Sequence, residues 1–120
     1  FELGYIGPFS QNPGNAIELT SSDDGNLYGY FLNSSGPGGF VVQIDKLTAE
    51  IVSSVALPAG GQGSALAFAY WSGDFYIFTS EGDQTTTVTR YKPSDGSVVV
   101  ITTLDRTVVG AGVSTCSILD

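Results

Sequence analysis

The chain has 120 residues, the size of one domain, and its 16 Gly, 5 Pro, 7 Phe and 6 Tyr stand against only 12 acidic and 4 basic residues. This composition favours short strands joined by tight turns over helices. A net charge of −8 argues against a nucleic-acid partner, because phosphate backbones are bound by basic patches. No apolar run reaches the roughly 20 residues of a membrane-spanning helix, so no membrane span is expected.

Ten short strands are predicted, and they fall into repeated units of four strands named A to D. The first is a strand D at 1–10. A complete unit follows at about 14–58 and a second at about 62–105, and a last strand A is predicted at 108–118. The chain is therefore predicted to be a single repeat domain that reads D, ABCD, ABCD, A.

The repeat is visible when the sequence is aligned with itself. A shift of 48 places GNLYGY (25–30) on GDFYIF (73–78), and a shift of 47 places 41–57 on 88–104. Strand A at 15–22 aligns with 63–71 and again with 110–118, and 2–9 aligns with 50–57. A period near 48 with four strands lies in the range of propeller blades, roughly 40 to 50 residues.

The patterns LYG (27–29), ID..T (44–48) and GDFY (73–76) accompany small residues in strand A and aromatic residues in strand B. In these features the sequence resembles bacterial β-propeller repeats of the exported and lipoprotein type, some of them from myxobacteria. The resemblance implies an all-β fold of antiparallel four-stranded propeller blades, about two blades plus flanking strands. It also implies a secreted or cell-envelope location in a bacterium, and it implies no chemistry.

A different all-β arrangement is left open by the strand pattern. Ten short strands at 8 to 12 residue spacing are also typical of a β-sandwich or of a closed up-and-down barrel. The internal repeat favours the propeller interpretation over both.

Two blades cannot close a ring, so their apolar end faces need cover. One solution is that the chain is a fragment of a larger propeller, and the other is head-to-tail assembly of copies into a ring. The unmatched strands D and A favour a fragment or a rearranged oligomer. In either case we expect self-association through open blade faces.

The sequence lacks the usual equipment of an enzyme. It has no His and one Cys, Cys116, which excludes His-based triads, His metal sites and an internal disulfide. Without a Cys and His set or a basic cluster, zinc cages and phosphate-binding sites are excluded as well. We therefore expect no catalytic residues, no cofactor and no enzymatic activity.

The acidic turn around Asp23 and Asp24, with Asn26, is the candidate metal site, because carboxylate and amide oxygens bind calcium. Calcium takes six to eight oxygens, and the twelve-residue calcium loop with its closing Glu is absent. A hairpin turn explains these residues better, so we predict no metal.

Four residues are candidates for binding a ligand. Glu81, Asp83 and Gln84 lie in the loop between strands B and C, on the side where the resemblance places propeller ligands, although a solvated acidic loop is the preferred interpretation. Trp71 could stack on a sugar, as in propeller lectins. Its counterpart at a shift of 48 is Asp23, so a repeated sugar site is not supported and a packing role is preferred.

From these observations we expect a non-catalytic binding or scaffolding module, a fragment or oligomerising piece of a larger exported β-propeller protein. The first alternative is a carbohydrate-binding, lectin-like oligomeric propeller. The second is part of a polysaccharide-active propeller enzyme whose catalytic residues lie elsewhere. The expected partners are a protein or a glycan, in addition to the chain itself.

Overall fold

A computed structural model of the chain describes residues 17–33, 38–57, 65–80, 85–108 and 110–111. The predicted strand D at 1–10 and most of the predicted strand A at 108–118 lie outside these residues. The described part contains eight strands and no helix. The strands are β1 (Ile17–Ser21), β2 (Leu27–Leu32), β3 (Gly39–Ile44), β4 (Ile51–Leu57), β5 (Ala65–Trp71), β6 (Asp74–Ser80), β7 (Thr86–Lys92) and β8 (Ser97–Leu104).

The eight strands form two antiparallel sheets of four. Sheet 1 has the order β1-β2-β3-β4 and sheet 2 has the order β5-β6-β7-β8, so each strand pairs with its neighbour in sequence. The all-β prediction is confirmed, and the two predicted four-stranded units correspond to the two sheets. Both sheets are open, so the described strands do not form one closed barrel.

The tight turns follow from residues that adopt a positive φ. Gly25 (φ 83°) lies between β1 and β2, and Ser72 (φ 54°) with Gly73 (φ 92°) connects β5 to β6. Gly96 (φ 75°) ends the turn between β7 and β8, where its amide donates to the Lys92 carbonyl at 2.8 Å. Glycine adopts a positive φ at little energetic cost, which is why glycines occur in these turns between strands.

The turn between β3 and β4 also has a residue at positive φ, Ala49 (φ 61°), and it adds side-chain acceptors. The Asp45 carboxylate accepts hydrogen bonds from the amides of Leu47 (2.8 Å) and Thr48 (3.1 Å). The Thr48 hydroxyl accepts one from the Glu50 amide at 3.3 Å. Such local bonds satisfy the turn's backbone donors without a glycine.

Strand pairing fixes how the two units correspond. Tyr30 pairs with Val41 in sheet 1, and Phe78 pairs with Val88 in sheet 2, which agrees with shifts of 48 and 47 for these strands. In strand A, however, Ser21 pairs with Leu27 whereas Tyr70 pairs with Phe75, so the shift is 49.

The shift of 49 changes the counterpart of Trp71. The hairpin that joins β5 to β6 is one residue shorter than the hairpin that joins β1 to β2. Trp71 therefore corresponds to Ser22. A uniform shift of 48 would give Asp23 instead.

An aromatic core fills the space between the sheets. Tyr30, Val41 and Leu57 of sheet 1 pack with residues of sheet 2 in one buried cluster. We call these opposed surfaces the contact faces. The sheet 2 members of the cluster are Phe68, Phe75, Ile77 and Tyr91. The ring of Tyr28 lies 4.8 Å from that of Phe75, and the ring of Tyr30 lies 5.8 Å from that of Phe68, between centroids.

The two contact faces are not equivalent in the repeat. Tyr28 and Tyr30, on the contact face of sheet 1, correspond to Tyr76 and Phe78 of sheet 2. Because side chains alternate along a strand, Tyr76 and Phe78 point away from Phe75 and Ile77, onto the outer face of sheet 2. A two-fold related pair of sheets would bring equivalent faces together. Here one face of sheet 1 packs against the face of sheet 2 that is not its equivalent, and we call this arrangement front-to-back stacking.

The two sheets approach most closely at their first strands. β1 and β5 are close in backbone, and the Tyr70 amide, on the free edge of β5, donates to the Thr20 hydroxyl at 3.2 Å. The last strands are open to solvent, with Val52 of β4 59% exposed and Val100 of β8 54% exposed. The described units therefore share an inner side at β1 and β5, and they present β4 and β8 outward.

The outer face of sheet 1 carries a second apolar cluster. Phe31, Val42 and Ile44 are buried there and contact the partly buried Leu27, Phe40 and Ile51. Leu19 lies on the same face and is 47% exposed. Both faces of sheet 1 are thus apolar, as expected for a sheet in the middle of a stack.

Gly39 allows Tyr30 to lie across β3. A Cβ atom at Gly39 would come within 2.5 Å of both the Tyr30 hydroxyl and the Phe31 carbonyl oxygen. We expect Gly39→Ala to destabilise the protein by about 1–3 kcal/mol, because one of two buried groups must move. Urea unfolding measures this change. Gly110→Ala is the matched control, since a Cβ there meets nothing within 4 Å, and an equal loss in both variants would contradict the packing argument.

Candidate functional site

The structure separates the candidate residues of the sequence. Asp23 and Asp24 lie in the turn between β1 and β2, and Trp71 is the last residue of β5. Glu81, Asp83 and Gln84 lie outside the described residues. Any site built from described residues must therefore draw on the turn, on Trp71 or on side chains that the sequence did not single out.

The carboxylate of Asp24 is engaged within its own turn. It accepts hydrogen bonds from the Ser22 hydroxyl and from Asn26 Nδ2, the latter at 3.1 Å. The Ser22 hydrogen bond in particular lowers the pKa of Asp24, against a smaller opposing effect of burial. Within the described ranges, no three His, Cys, Asp or Glu side chains are placed to hold a metal ion. The geometry of Asp24 is that of a hydrogen-bonded turn.

Asp23 instead links the two sheets. The Tyr70 hydroxyl donates to the Asp23 carboxylate at 3.3 Å. Burial raises the pKa of Tyr70, and the nearby Asp23 charge raises it further, so Tyr70 remains a neutral donor at physiological pH. Together with the bond from the Tyr70 amide to Thr20, this contact joins the turn of sheet 1 to the end of β5.

Trp71 belongs to a small group of side chains on the outer face of sheet 2. Trp71 pairs across the hairpin with Asp74, and Tyr76 pairs with Arg90. The rings of Trp71 and Tyr76 lie 6.3 Å apart between centroids and are inclined by 57°. We call Trp71, Asp74, Tyr76 and Arg90 the Trp71 corner.

The Trp71 corner combines an open aromatic surface with one charge of each sign. Trp71 is 38% exposed, and Arg90 Nε lies 3.9 Å from Asp74 Oδ2, at the limit of an ion pair. Arg90 Nε is buried and has no hydrogen-bond partner. Aromatic rings provide apolar surface with a defined geometry, and the two charged groups provide a donor and an acceptor beside it.

Sequence reasoning singled out only Trp71 of this group as a candidate for binding. Alternation along β6 and β7 is visible in the sequence and places Tyr76 and Arg90 each on one face of its strand. The missing information was the register that sets them side by side.

A shallow groove of about 190 Å³ lies between the two turns at the same end of sheet 1. Gly25, Asn26, Lys46 and Leu47 are among its lining residues, and Lys46 Nζ donates to the Gly25 carbonyl at 2.7 Å. Typical small-molecule pockets measure roughly 300–1,000 Å³. The groove is smaller than this, and its one cation already has a partner.

Comparisons with known proteins give no family for this chain. No family model matches the sequence, and no curated protein matches it significantly. Within the described residues, no helix is long and apolar enough to cross a membrane. The functional argument therefore rests on the geometry of the two sheets.

Three hydroxyls in or beside the aromatic core lack hydrogen-bond partners. They belong to Tyr30, Thr79 and Thr89, which are 0%, 2% and 0% exposed. Burial raises the pKa of Tyr30 above its usual value of 10.0. An unpaired buried hydroxyl contributes little to stability, and its ionisation in place is strongly disfavoured.

The raised pKa of Tyr30 predicts a loss of stability in alkali. Above pH 10.0 the unfolded chain releases the Tyr30 proton while the folded chain retains it, so unfolding becomes easier as pH rises toward the folded-state pKa. Below pH 10.0 this contribution is fully present. Urea unfolding over an alkaline pH series measures the decline, and we expect it to be shallower in Tyr30→Phe.

The same variant tests whether the hydroxyl is unpaired. Because Tyr30→Phe removes a buried hydroxyl without a partner, we expect its stability at neutral pH to be unchanged or raised by up to about 1 kcal/mol. A loss greater than about 2 kcal/mol would show that the hydroxyl makes a hydrogen bond.

Proposed function

We propose that this chain is a non-catalytic binding and scaffolding module made of β-propeller-type blades, which associates with further units of its own kind. The observation that carries the proposal is the front-to-back stacking of the two sheets. In a sandwich, two equivalent faces pack together and none is left to bind a further sheet. In a front-to-back stack, the first and last sheets each keep one uncovered face, and these two faces are complementary. β1 and β5, the first strands of the two sheets, lie close together, as is expected of the inner strands of neighbouring blades around an axis.

The outer face of sheet 2 has the character of an interface. Its residues Phe78 and Val88 correspond to Tyr30 and Val41, which are only 0% and 4% exposed where sheet 2 covers them. Phe78 is half-buried and Val88 is only 6% exposed, whereas Val99 on the same face is 46% exposed, so the open part of this face lies at β8. Apolar side chains therefore continue onto a face where no further described sheet packs. A second copy of the chain is the simplest partner with a matching surface.

The size of the face limits the strength of such an association. The four strands of sheet 2 have seven or eight residues each, so its outer face measures roughly 19 by 23 Å, or about 450 Å² on each partner. A contact of this kind buries about 900 Å² in total, less than the roughly 1,200 Å² of most stable interfaces. We therefore propose a reversible, concentration-dependent association, unless a larger parent protein or a closed ring supplies a second contact.

The chemistry of the chain supports binding over catalysis. The sequence contains no His, the Asp24 carboxylate is held in a turn, and Asp74 lies beside Arg90. A polysaccharide-active enzyme containing this module would need catalytic groups from another segment. The proposed location, secreted or in a bacterial envelope, rests on the sequence resemblance alone.

Val99→Asp tests the proposed association. Val99 pairs with Arg90, so the new carboxylate gains an opposite charge and we expect the fold to be retained. An associating copy would have to desolvate this carboxylate, so we expect the dissociation constant to rise about tenfold or more. Light scattering over a hundredfold dilution measures the mass of the wild type and the variant.

Val100→Asp is the matched control for this experiment. Val100 is a 54% exposed valine of the same strand, but it pairs with Thr89 and lies on the opposite face of sheet 2, so we expect its replacement to leave the association unchanged. The proposal fails if the wild type is monomeric at every concentration. It fails equally if both variants weaken the association to the same extent.

A further inference from the structure

The Trp71 corner is the described surface that best combines exposure, aromatic area and paired polar groups. Its rings of Trp71 and Tyr76 form an inclined pair, and the Asp74 and Arg90 side chains lie at their edge. A Cβ atom at Gly73, in the adjoining turn, meets nothing within 4 Å. A small ligand can therefore approach the corner from solvent without displacing protein.

Sheet 1 shows which side chain packs on the equivalent tyrosine. Tyr28 is the counterpart of Tyr76, and in sheet 1 this position already holds a ring. Phe75 lies edge-on against Tyr28, with centroids 4.8 Å apart and ring planes inclined by 67°. Tyr70 packs beside Phe75 at 5.1 Å. A ring of the next sheet thus covers this tyrosine in sheet 1, whereas in sheet 2 no described sheet packs on Tyr76, whose neighbouring ring is that of Trp71.

The polar groups around this tyrosine differ between the two units. In sheet 1 the counterparts of Asp74 and Arg90 are the uncharged Asn26 and Gln43. Sheet 2 has a carboxylate and a guanidinium at these positions, and it has Trp71 where sheet 1 has Ser22. The same tyrosine is therefore surrounded by a more aromatic and a charged set of side chains.

This difference decides which kind of ring fits. An aromatic ring seated on Tyr76, including Phe75 of an associating copy, would bury the Asp74 and Arg90 charges without offering them hydrogen bonds, which is costly. The corner is therefore open to a ligand at protein concentrations where the chain is not associated. A sugar ring has an apolar face that can lie on Trp71. Its hydroxyls can donate to the Asp74 carboxylate and accept from the Arg90 guanidinium, since these side chains are 18% and 35% exposed.

The charged groups of the corner also indicate the charge of the ligand. The corner holds one carboxylate and one guanidinium, which together match a neutral ligand with neighbouring hydroxyls. The chain as a whole carries a net charge of −8, which disfavours the approach of an anionic sugar. We propose that the Trp71 corner binds a neutral pyranose sugar that presents two adjacent hydroxyls. This inference rests on the proposed function as a binding module, and it names its ligand class.

The protein offers its own reporter for this proposal, because Trp71 is the single tryptophan of the sequence. The experiment titrates the intact chain with the methyl glycosides of glucose, galactose, mannose and fucose, and with glucuronate. Tryptophan fluorescence and the single indole N–H resonance in NMR are recorded together. We expect a saturable change with at least one neutral glycoside, and weaker binding of glucuronate by about tenfold.

Two variants test the polar groups with little risk to the fold. Arg90→Gln and Asp74→Asn install the residues that sheet 1 has at the same positions. We expect each to weaken glycoside binding about tenfold or more, the usual cost of losing a hydrogen bond to a charged group. Lys92→Gln is the matched control, since Lys92 lies on the same strand and face outside the corner, and it should bind as the wild type does.

Three outcomes would overturn the inference. The first is that neither signal changes with any neutral glycoside. The second is that Arg90→Gln and Asp74→Asn bind as tightly as Lys92→Gln. The third is that phenol or glucuronate binds more tightly than every neutral glycoside. Because light scattering of the wild type without sugar measures association by itself, failure of sugar binding is distinguishable from failure of the proposed association.

Discussion

The packing of unlike faces determines the rest of this structure. Tyr28 and Tyr30 of sheet 1 meet Phe75 and Phe68 of sheet 2, and burial of these rings supplies the largest apolar contact between the units. Because the repeat places the counterparts of the tyrosines on the far side of sheet 2, the interaction that joins two units also defines the next surface. The apolar outer face of sheet 2 and the Trp71 corner both follow from it.

The aromatic contact also restricts the neighbouring backbone and side chains. The ring of Tyr30 lies across Gly39, where no Cβ atom fits. Its hydroxyl and that of Thr89 are buried without hydrogen-bond partners. Such groups reduce stability compared with an apolar replacement. The interior is therefore specified by shape, and only weakly by its polar groups.

Much of the fold could be predicted from the sequence, because turns and alternation are local properties. Gly25, Gly73 and Gly96 occupy positive-φ turn positions, and the shifts for the B and C strands agree with the observed pairing. The register of strand A could not be predicted, because the two hairpins differ by one residue. The Trp71 corner was missed for the same reason, since its members are neighbours across strands and not along the sequence.

Front-to-back stacking gives the chain a direction. Adding one more unit after sheet 2 would bury the present outer face and expose a new one of the same kind, so the terminal surface is renewed with each addition. A gene that grows by duplicating such units therefore keeps a usable end at every length. What can change from copy to copy is the small set of side chains around the conserved ring position, as the replacement of Gln43 by Arg90 illustrates. Architecture and recognition can in this way evolve independently.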